Sequence, residues 1–139
     1  MADDPNNMKV GEIAIRVRYP EADQMGVLHH SKYWVYFEMG RTELLRKTGW
    51  TYRDVEASGL YLVLSKCACR YIAPAYYDEE LILITTVTRM GAARIDHAYE
   101  LRRKSDGTLL TTAETTLACV DRAGTVQVMP DSIRKFNDA

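Results

Sequence analysis

The spacing of apolar residues changes period along the chain, and each change predicts an element. In "GEIAIRVRYP" the apolar residues Ile13, Ile15 and Val17 alternate with polar Glu12, Arg16 and Arg18, the period-two pattern of a half-buried strand. Pro20, without an N–H to donate, ends it. From Ser31 to Lys47 the period becomes helical: Tyr33, Phe37, Gly40 and Leu44 recur along one face, and Trp34, Tyr36 and Leu45 widen the stripe. A face so wide and so aromatic predicts a helix enclosed on most sides, not one lying on a surface. Gly49 is a stop signal. "TYRDVEAS" predicts a short second helix ended by Gly59. Strand patterns return over 60–72, 79–90, 93–104 and 108–121, with "PAYYD" and "SDG" as turns. "RAGT" then turns into "VQVM", a possible broken end to the last strand, and Pro130 opens a short helix, "PDSIRKF".

One long helix with about five hairpin-connected strands is an α+β arrangement with an antiparallel sheet. A sheet curving around that helix accounts for the aromatic stripe. The first ten residues are polar and predict a flexible N-terminus, so 11–139 is expected to form one domain. The other sheet face and the edge strands then need cover, which predicts a homo-oligomer, a dimer or a higher assembly.

The 139 residues are 47% hydrophobic and 27% charged, with a formal charge of −1. That balance gives no nucleic-acid footprint, although a local basic patch could bind a phosphorylated group. No apolar run is long enough to span a bilayer, and "MADDPNNMK" is unlike a signal peptide. A cytoplasmic protein is expected. Cys67, Cys69 and Cys119 read as small buried thiols in a reducing compartment. With no CxxC or HxxxH pair, neither a metal nor another cofactor is expected. Arg41, Glu38 and Glu43 read as solvated or interfacial ion pairs.

Candidate chemistry gathers in "DQMGVLHHSKY", residues 23–33. Ser31 is a plausible N-cap, which puts His29 and His30 where backbone N–H groups lack intrahelical partners. Such a terminus suits a developing oxyanion. Asp23 lies before it, across a Gly26 that allows a tight turn. A carboxylate facing a helix start across a bound carbonyl would make an acyl-transfer site. The alternative is an Asp23 that forms an Asx-turn and histidines that are merely exposed or capping.

The run "YPEADQMGVLHHSKYWVYFEMGRTELL" resembles the start of the 4-hydroxybenzoyl-CoA thioesterase-like family, in its bacterial acyl-CoA thioesterase branch linked with the Tol-Pal gene cluster. The resemblance is carried by Tyr19, Glu21, Asp23, Gly26, Val27, Leu28, His29–His30, Tyr33, Phe37–Glu38 and Arg41–Thr42–Glu43, and continues through "CRYIAPAYYDEELILITTVTRMGAARIDHAYEL". It implies the hot-dog fold, in which a curved antiparallel sheet wraps one long central helix. It also implies dimers, commonly paired into tetramers, with active sites at the dimer interface. By the same resemblance Asp23 is the catalytic nucleophile or general base, the His30 N–H polarises the thioester carbonyl, and Gly26 permits close approach. Arg89 and Arg94 flank the "MGAA" turn, where related enzymes hold CoA phosphates. Tyr33 joins them as a substrate-binding candidate, although its place on the apolar stripe points to the core. The family's usual Asn, aromatic and Thr are replaced here by Lys32, His29 and Ala22, which bears on substrate preference.

The expected activity is hydrolysis of acyl-CoA to free acid and CoA. A thioesterase acting on acyl carrier protein would use the same arginines. A non-catalytic acyl-thioester-binding module is expected to lack the carboxylate, which is present. A hot-dog dehydratase wants a catalytic His in a context that "HHSKY" does not supply.

Overall fold

The structure, a computed structural model, describes residues 9–134. Strand β1 (Val10–Arg16) leads through a single 3-10 turn (Tyr19–Glu21) and the Asp23 loop to helix α1 (Lys32–Arg46). A short helix α2 (Tyr52–Ala57) follows, then β2 (Leu60–Tyr71), β3 (Glu80–Met90), β4 (Arg94–Arg103), β5 (Leu109–Asp121) and α3 (Asp131–Arg134). The five strands form one antiparallel sheet in the order β1-β3-β4-β5-β2. This is the α+β architecture expected from the periodicities, with one long helix and two short ones. The expected flexible segment 1–10 lies outside the described residues except for Lys9 and Val10, which are ordered. The Lys9 carbonyl accepts the Val87 N–H at 2.7 Å, and Val10 already belongs to β1.

Alternation sets the faces of the sheet. On β3, Leu81, Leu83, Thr85 and Val87 are buried; on β4, Ile95, His97, Tyr99 and Leu101 are buried. These residues face α1, whose buried side carries Tyr33, Tyr36, Phe37, Gly40, Arg41, Leu44 and Leu45. Gly40 is where helix and sheet come closest. A Cβ added there would meet Leu83 Cδ2 at 2.7 Å and run into Thr85 Oγ1. Two apolar clusters fill the interior. One surrounds the first half of α1 (Tyr33, Tyr36, Phe37, Leu81, Leu101), and the other surrounds its end (Leu44, Leu45, Val55, Val87, Ile95).

The stop signals act through backbone geometry. Gly49 (φ 89°) and Gly59 (φ 87°) take the left-handed conformation that glycine tolerates, and the Gly49 N–H closes on the Arg46 carbonyl at 3.0 Å. "VQVM" forms no further named strand. Val126 makes one isolated bridge to Val120, and the remainder of the segment is irregular. The expectation of buried thiols holds for Cys119 alone: Cys69 is half-buried and Cys67 exposed. Both lie on β2, the sheet's last strand, where Cys69 packs partly against the core and Cys67 faces outward. No helix among the described residues is long and apolar enough to cross a membrane.

Candidate active site

The Asp23 loop is a miniature hairpin. Ala22 bridges Leu28 antiparallel, the Asp23 N–H donates to the Val27 carbonyl at 2.8 Å, and the Gly26 N–H donates to the Asp23 carbonyl at 3.0 Å. Gly26 closes the turn at φ 76°. A Cβ there would meet no atom within 4 Å, so what glycine supplies within this chain is backbone conformation. Asp23 Oδ1 accepts the Met25 N–H at 2.8 Å and the Val27 N–H at 3.3 Å. The Asx-turn therefore exists, but it occupies one oxygen. Oδ2 accepts no hydrogen bond from a described residue, and the side chain stands exposed.

The loop is bound to the start of α1 on both sides. Leu28 donates to Ala75 at 2.8 Å and His29 donates to the Glu21 carbonyl at 2.9 Å. Ser31 occupies the N-cap position expected of it, but its backbone is already helical (φ −70°, ψ −23°) and its hydroxyl caps no amide. His29 supplies the acceptors instead. Its Nδ1 accepts the Ser31 N–H at 3.2 Å and lies 2.8 Å from Ser31 Oγ, while its carbonyl accepts the Lys32 N–H at 2.9 Å. Between these satisfied amides, the His30 N–H donates to no described residue. The His30 carbonyl accepts the Tyr71 hydroxyl at 3.0 Å, which ties the helix start to the end of β2. The His29 and His30 rings stack at 4.1 Å.

The remaining predicted residues are not gathered here. Tyr33 is 3% exposed and packs edge-on against Tyr71, with ring centroids 4.9 Å apart; in the chain it is a core residue. Arg89 and Arg94 are exposed at the β3–β4 turn, beside the cluster at the far end of α1. Fifteen helical residues span about 22 Å, so one protomer does not bring these arginines to Asp23.

Three buried polar residues were not legible as such. Glu21 is 4% exposed; its Oε1 accepts the Tyr36 hydroxyl and the Arg18 N–H, each at 2.8 Å, and its Oε2 accepts Arg18 Nη2 at 3.1 Å. Burial alone would raise its pKa, but the bonds from Arg18 and Tyr36 outweigh that and hold the carboxyl below its usual value. Burial, with Glu21 alongside, pushes the Tyr36 phenol well above its usual range, so it stays a donor. Arg41 is 9% exposed, not a solvated ion pair: Nη1 reaches Tyr99 Oη at 3.5 Å and Nη2 reaches Glu38 at 3.7 Å. Glu43 pairs instead with Arg46 at 3.2 Å. His97, 5% exposed, has an Nδ1 with no partner, and burial followed by Arg41 lowers its pKa to about 4. A signal for it was present in the sequence, since His97 falls in phase with Ile95, Tyr99 and Leu101. Among the described residues no group of His, Cys, Asp and Glu could hold a metal ion.

A family model described as thioesterase-like superfamily matches residues 17–136. The chain is 32% identical over 107 residues to the acyl-CoA thioester hydrolase YbgC of Escherichia coli O6:H1, covering 77% of this chain and 79% of that protein. It superposes on the DHNA-CoA thioesterase of Staphylococcus aureus with a TM-score of 0.85 at 26% identity, over 93% of this chain and 87% of that one. The 1,4-dihydroxy-2-naphthoyl-CoA thioesterase Slr0204 from Synechocystis shares the fold, with a TM-score of 0.86 at 19% identity, over 91% and 94% of the two chains.

Proposed function

The chain belongs to the thioesterase-like superfamily, and from that premise we propose that it hydrolyses an acyl-CoA to the free acid and CoA, with Asp23 as the catalytic carboxylate. The observation that carries this reading is the pairing of an Asp23 whose Oδ1 is fixed and whose Oδ2 is uncommitted with an unpartnered His30 N–H at the start of α1. As general base, Asp23 takes a proton from water while the water oxygen bonds to the thioester carbon. The carbonyl oxygen becomes an oxyanion and is received by the His30 N–H, aided by the helix dipole. Collapse restores the carbonyl, breaks the C–S bond and returns the proton to the CoA thiolate. As nucleophile, Asp23 instead displaces CoA to form a mixed anhydride that water then opens. A single turnover in ¹⁸O-water separates the two: label appears directly in the product acid for the base, and in Asp23 when water opens the anhydride on its side.

The site is completed by a second copy. Strand β2 ends the sheet, and Val63, Leu64, Tyr71 and Ile72 along it and just beyond it are between 42% and 50% exposed. Such an edge is expected to be paired or covered. A two-fold axis beside β2 reverses the partner, which brings the far end of its sheet toward the Tyr71 and His30 end of this one. Arg89 and Arg94 then serve the CoA phosphates of the neighbouring site and not of their own. A dimer, or a tetramer of two such dimers, contains this contact.

Released thiol measured across short, medium, long and aromatic acyl-CoAs tests the activity. Turnover of at least one is expected. A protein inert to all of them, or active only on acyl carrier protein, contradicts the acyl-CoA reading.

A further inference from the structure

We propose that Glu21 and Tyr36 are a positioning pair that holds the Asp23 turn and the His30 N–H in one rigid frame. Glu21 meets three separate pieces of the site. It closes the 3-10 turn two residues before Asp23. Its carbonyl accepts the His29 N–H at 2.9 Å, one residue before His30. Its carboxylate accepts the hydroxyl of Tyr36 at 2.8 Å, and Tyr36 sits fully buried one turn into α1. The Arg18 N–H, also at 2.8 Å, anchors the same carboxylate to the chain leaving β1.

Stability alone does not call for a carboxylate here. Burying an ionised group costs several kcal/mol before its partners compensate, and a well-packed apolar substitute is often no worse. What the carboxylate supplies is directionality. Two donors converge on Oε1 and a third reaches Oε2, so the side chain has little freedom to rotate. On its Asp23 side the hairpin has no other tie among the described residues: its outside hydrogen bonds, Leu28–Ala75 and Tyr77–Gly26, and the burial of Leu28 in the core all hold the Gly26–Leu28 arm. If Glu21 lost its hold, the hairpin could pivot about those contacts while α1 stayed seated on the sheet. A displacement near 1 Å between reacting groups can lower a rate by about 100-fold.

The inference rests on Asp23 being the catalytic carboxylate, and the test separates the two. Tyr36→Phe keeps the ring and its packing while removing the donor. Glu21→Gln keeps an acceptor, and Glu21→Ala removes the tether. Steady-state hydrolysis is measured with the best acyl-CoA of the panel, each variant being assayed well below its thermal midpoint. Tyr36→Phe is expected to lower kcat about 10- to 100-fold with KM changed less than about threefold, and Glu21→Gln to retain more activity than Glu21→Ala. The double variant Asp23→Asn/Tyr36→Phe is expected to lose less on top of Asp23→Asn than Tyr36→Phe loses in the parent, because the misplaced carboxylate no longer reacts and only the His30 N–H is left to displace. If Asp23→Asn is inactive while Tyr36→Phe and Glu21→Gln match the parent, the pair has no positioning role and the Asp23 reading survives. Equal additional losses in the Asp23→Asn background also overturn the pair, since it would then act elsewhere. An active Asp23→Asn overturns both. Should the Glu21 variants fail to fold, Tyr36→Phe and the double variant decide alone.

Discussion

The two ends of α1 both carry polar groups, in opposite circumstances. At its start, Asp23 and His30 are exposed, and Asp23 Oδ2 and the His30 backbone N–H have no partner among the described residues. Toward its end, Arg41, Tyr99 and His97 are buried, with Tyr52 half-buried beside them; Tyr99 shares a 2.7 Å bond with Thr115, burial pushes Tyr52 up to about 12, and His97 falls to about 4. Perturbed titration is a common mark of functional sites, and by that mark the enclosed end, like the buried Glu21–Tyr36 pair, would draw attention first. The geometry says otherwise. The cavity beside Arg41, Tyr52 and His97 measures about 10 Å³, room for about one water. Perturbation there follows from burial, whereas the reactivity proposed for the start rests on groups left open to a substrate.

The largest effect expected from this contrast is catalytic. Asp23→Asn keeps the Asx-turn acceptor, so the fold should survive, but an amide neither attacks a thioester nor takes a proton from water. Hydrolysis should fall by about 10² to 10⁴, read as thiol release at matched thermal stability. His97→Phe should leave turnover within a few-fold of the parent. A loss at His97 as deep as that at Asp23 would reverse the assignment of the two ends.

The next effect concerns the point where helix and sheet meet, between the two ends. Gly40→Ala gains helix propensity of up to about 1 kcal/mol. It also forces a methyl into Leu83 and Thr85, and overpacking of this kind costs about 1 to 3 kcal/mol. The net result should be a lower chemical-denaturation midpoint. An unchanged or raised midpoint would mean that α1 can move off the sheet without penalty.

Elements with a local repeat could be read from the sequence: the period-two strands, the aromatic stripe of α1 and the glycine stops. The interior polar residues could not. Whether Arg41 is solvated or buried depends on Tyr99, fifty-eight positions away, and on how the helix is rotated against β4. Glu21 stood out only as one residue of the family resemblance, because its Tyr36 partner lies on a different element. Ser31 holds the N-cap position without capping by its hydroxyl for a local reason: His29, two residues earlier, supplies an acceptor that serine ordinarily supplies. The family resemblance implies Arg89 and Arg94 as CoA-phosphate contacts, but a resemblance in one chain does not say which protomer's site they serve.

A smaller, pH-dependent effect belongs to the enclosed end. The His97 imidazole has a folded pKa of about 4 against an ordinary 6.5, lowered first by burial and then by Arg41, with Asp96 opposing. Between those values the unfolded chain binds a proton that the folded chain does not. Stability from this group is therefore complete above pH 6.5, declines as pH falls toward 4, and levels off below it. At up to about 1.4 kcal/mol per pH unit, the span reaches about 3 kcal/mol. Urea midpoints of His97→Phe measured from pH 7 to pH 4 should show a shallower acid decline than the parent, and parallel curves would mean that the imidazole is protonated in the fold.

The smallest effect expected is that of His30→Ala, and it bears most directly on what the open end does. The proposed oxyanion donor is the His30 backbone N–H, and alanine keeps it. The Tyr71 hydroxyl bonds the His30 carbonyl, which alanine also keeps. What is lost is an exposed ring stacked on His29, and His29 retains its own contacts to Ser31. Turnover should therefore fall only a few-fold, with the pH–rate profile unchanged in shape. His30→Pro provides the converse, because proline removes the N–H itself; it should fall much further than His30→Ala if the backbone is the working group. If His30→Ala instead fell as far as Asp23→Asn and lost one limb of its pH profile, the imidazole would be an acid or base in the reaction. Chemistry at the start of α1 would then belong to a side chain as well as to the helix terminus.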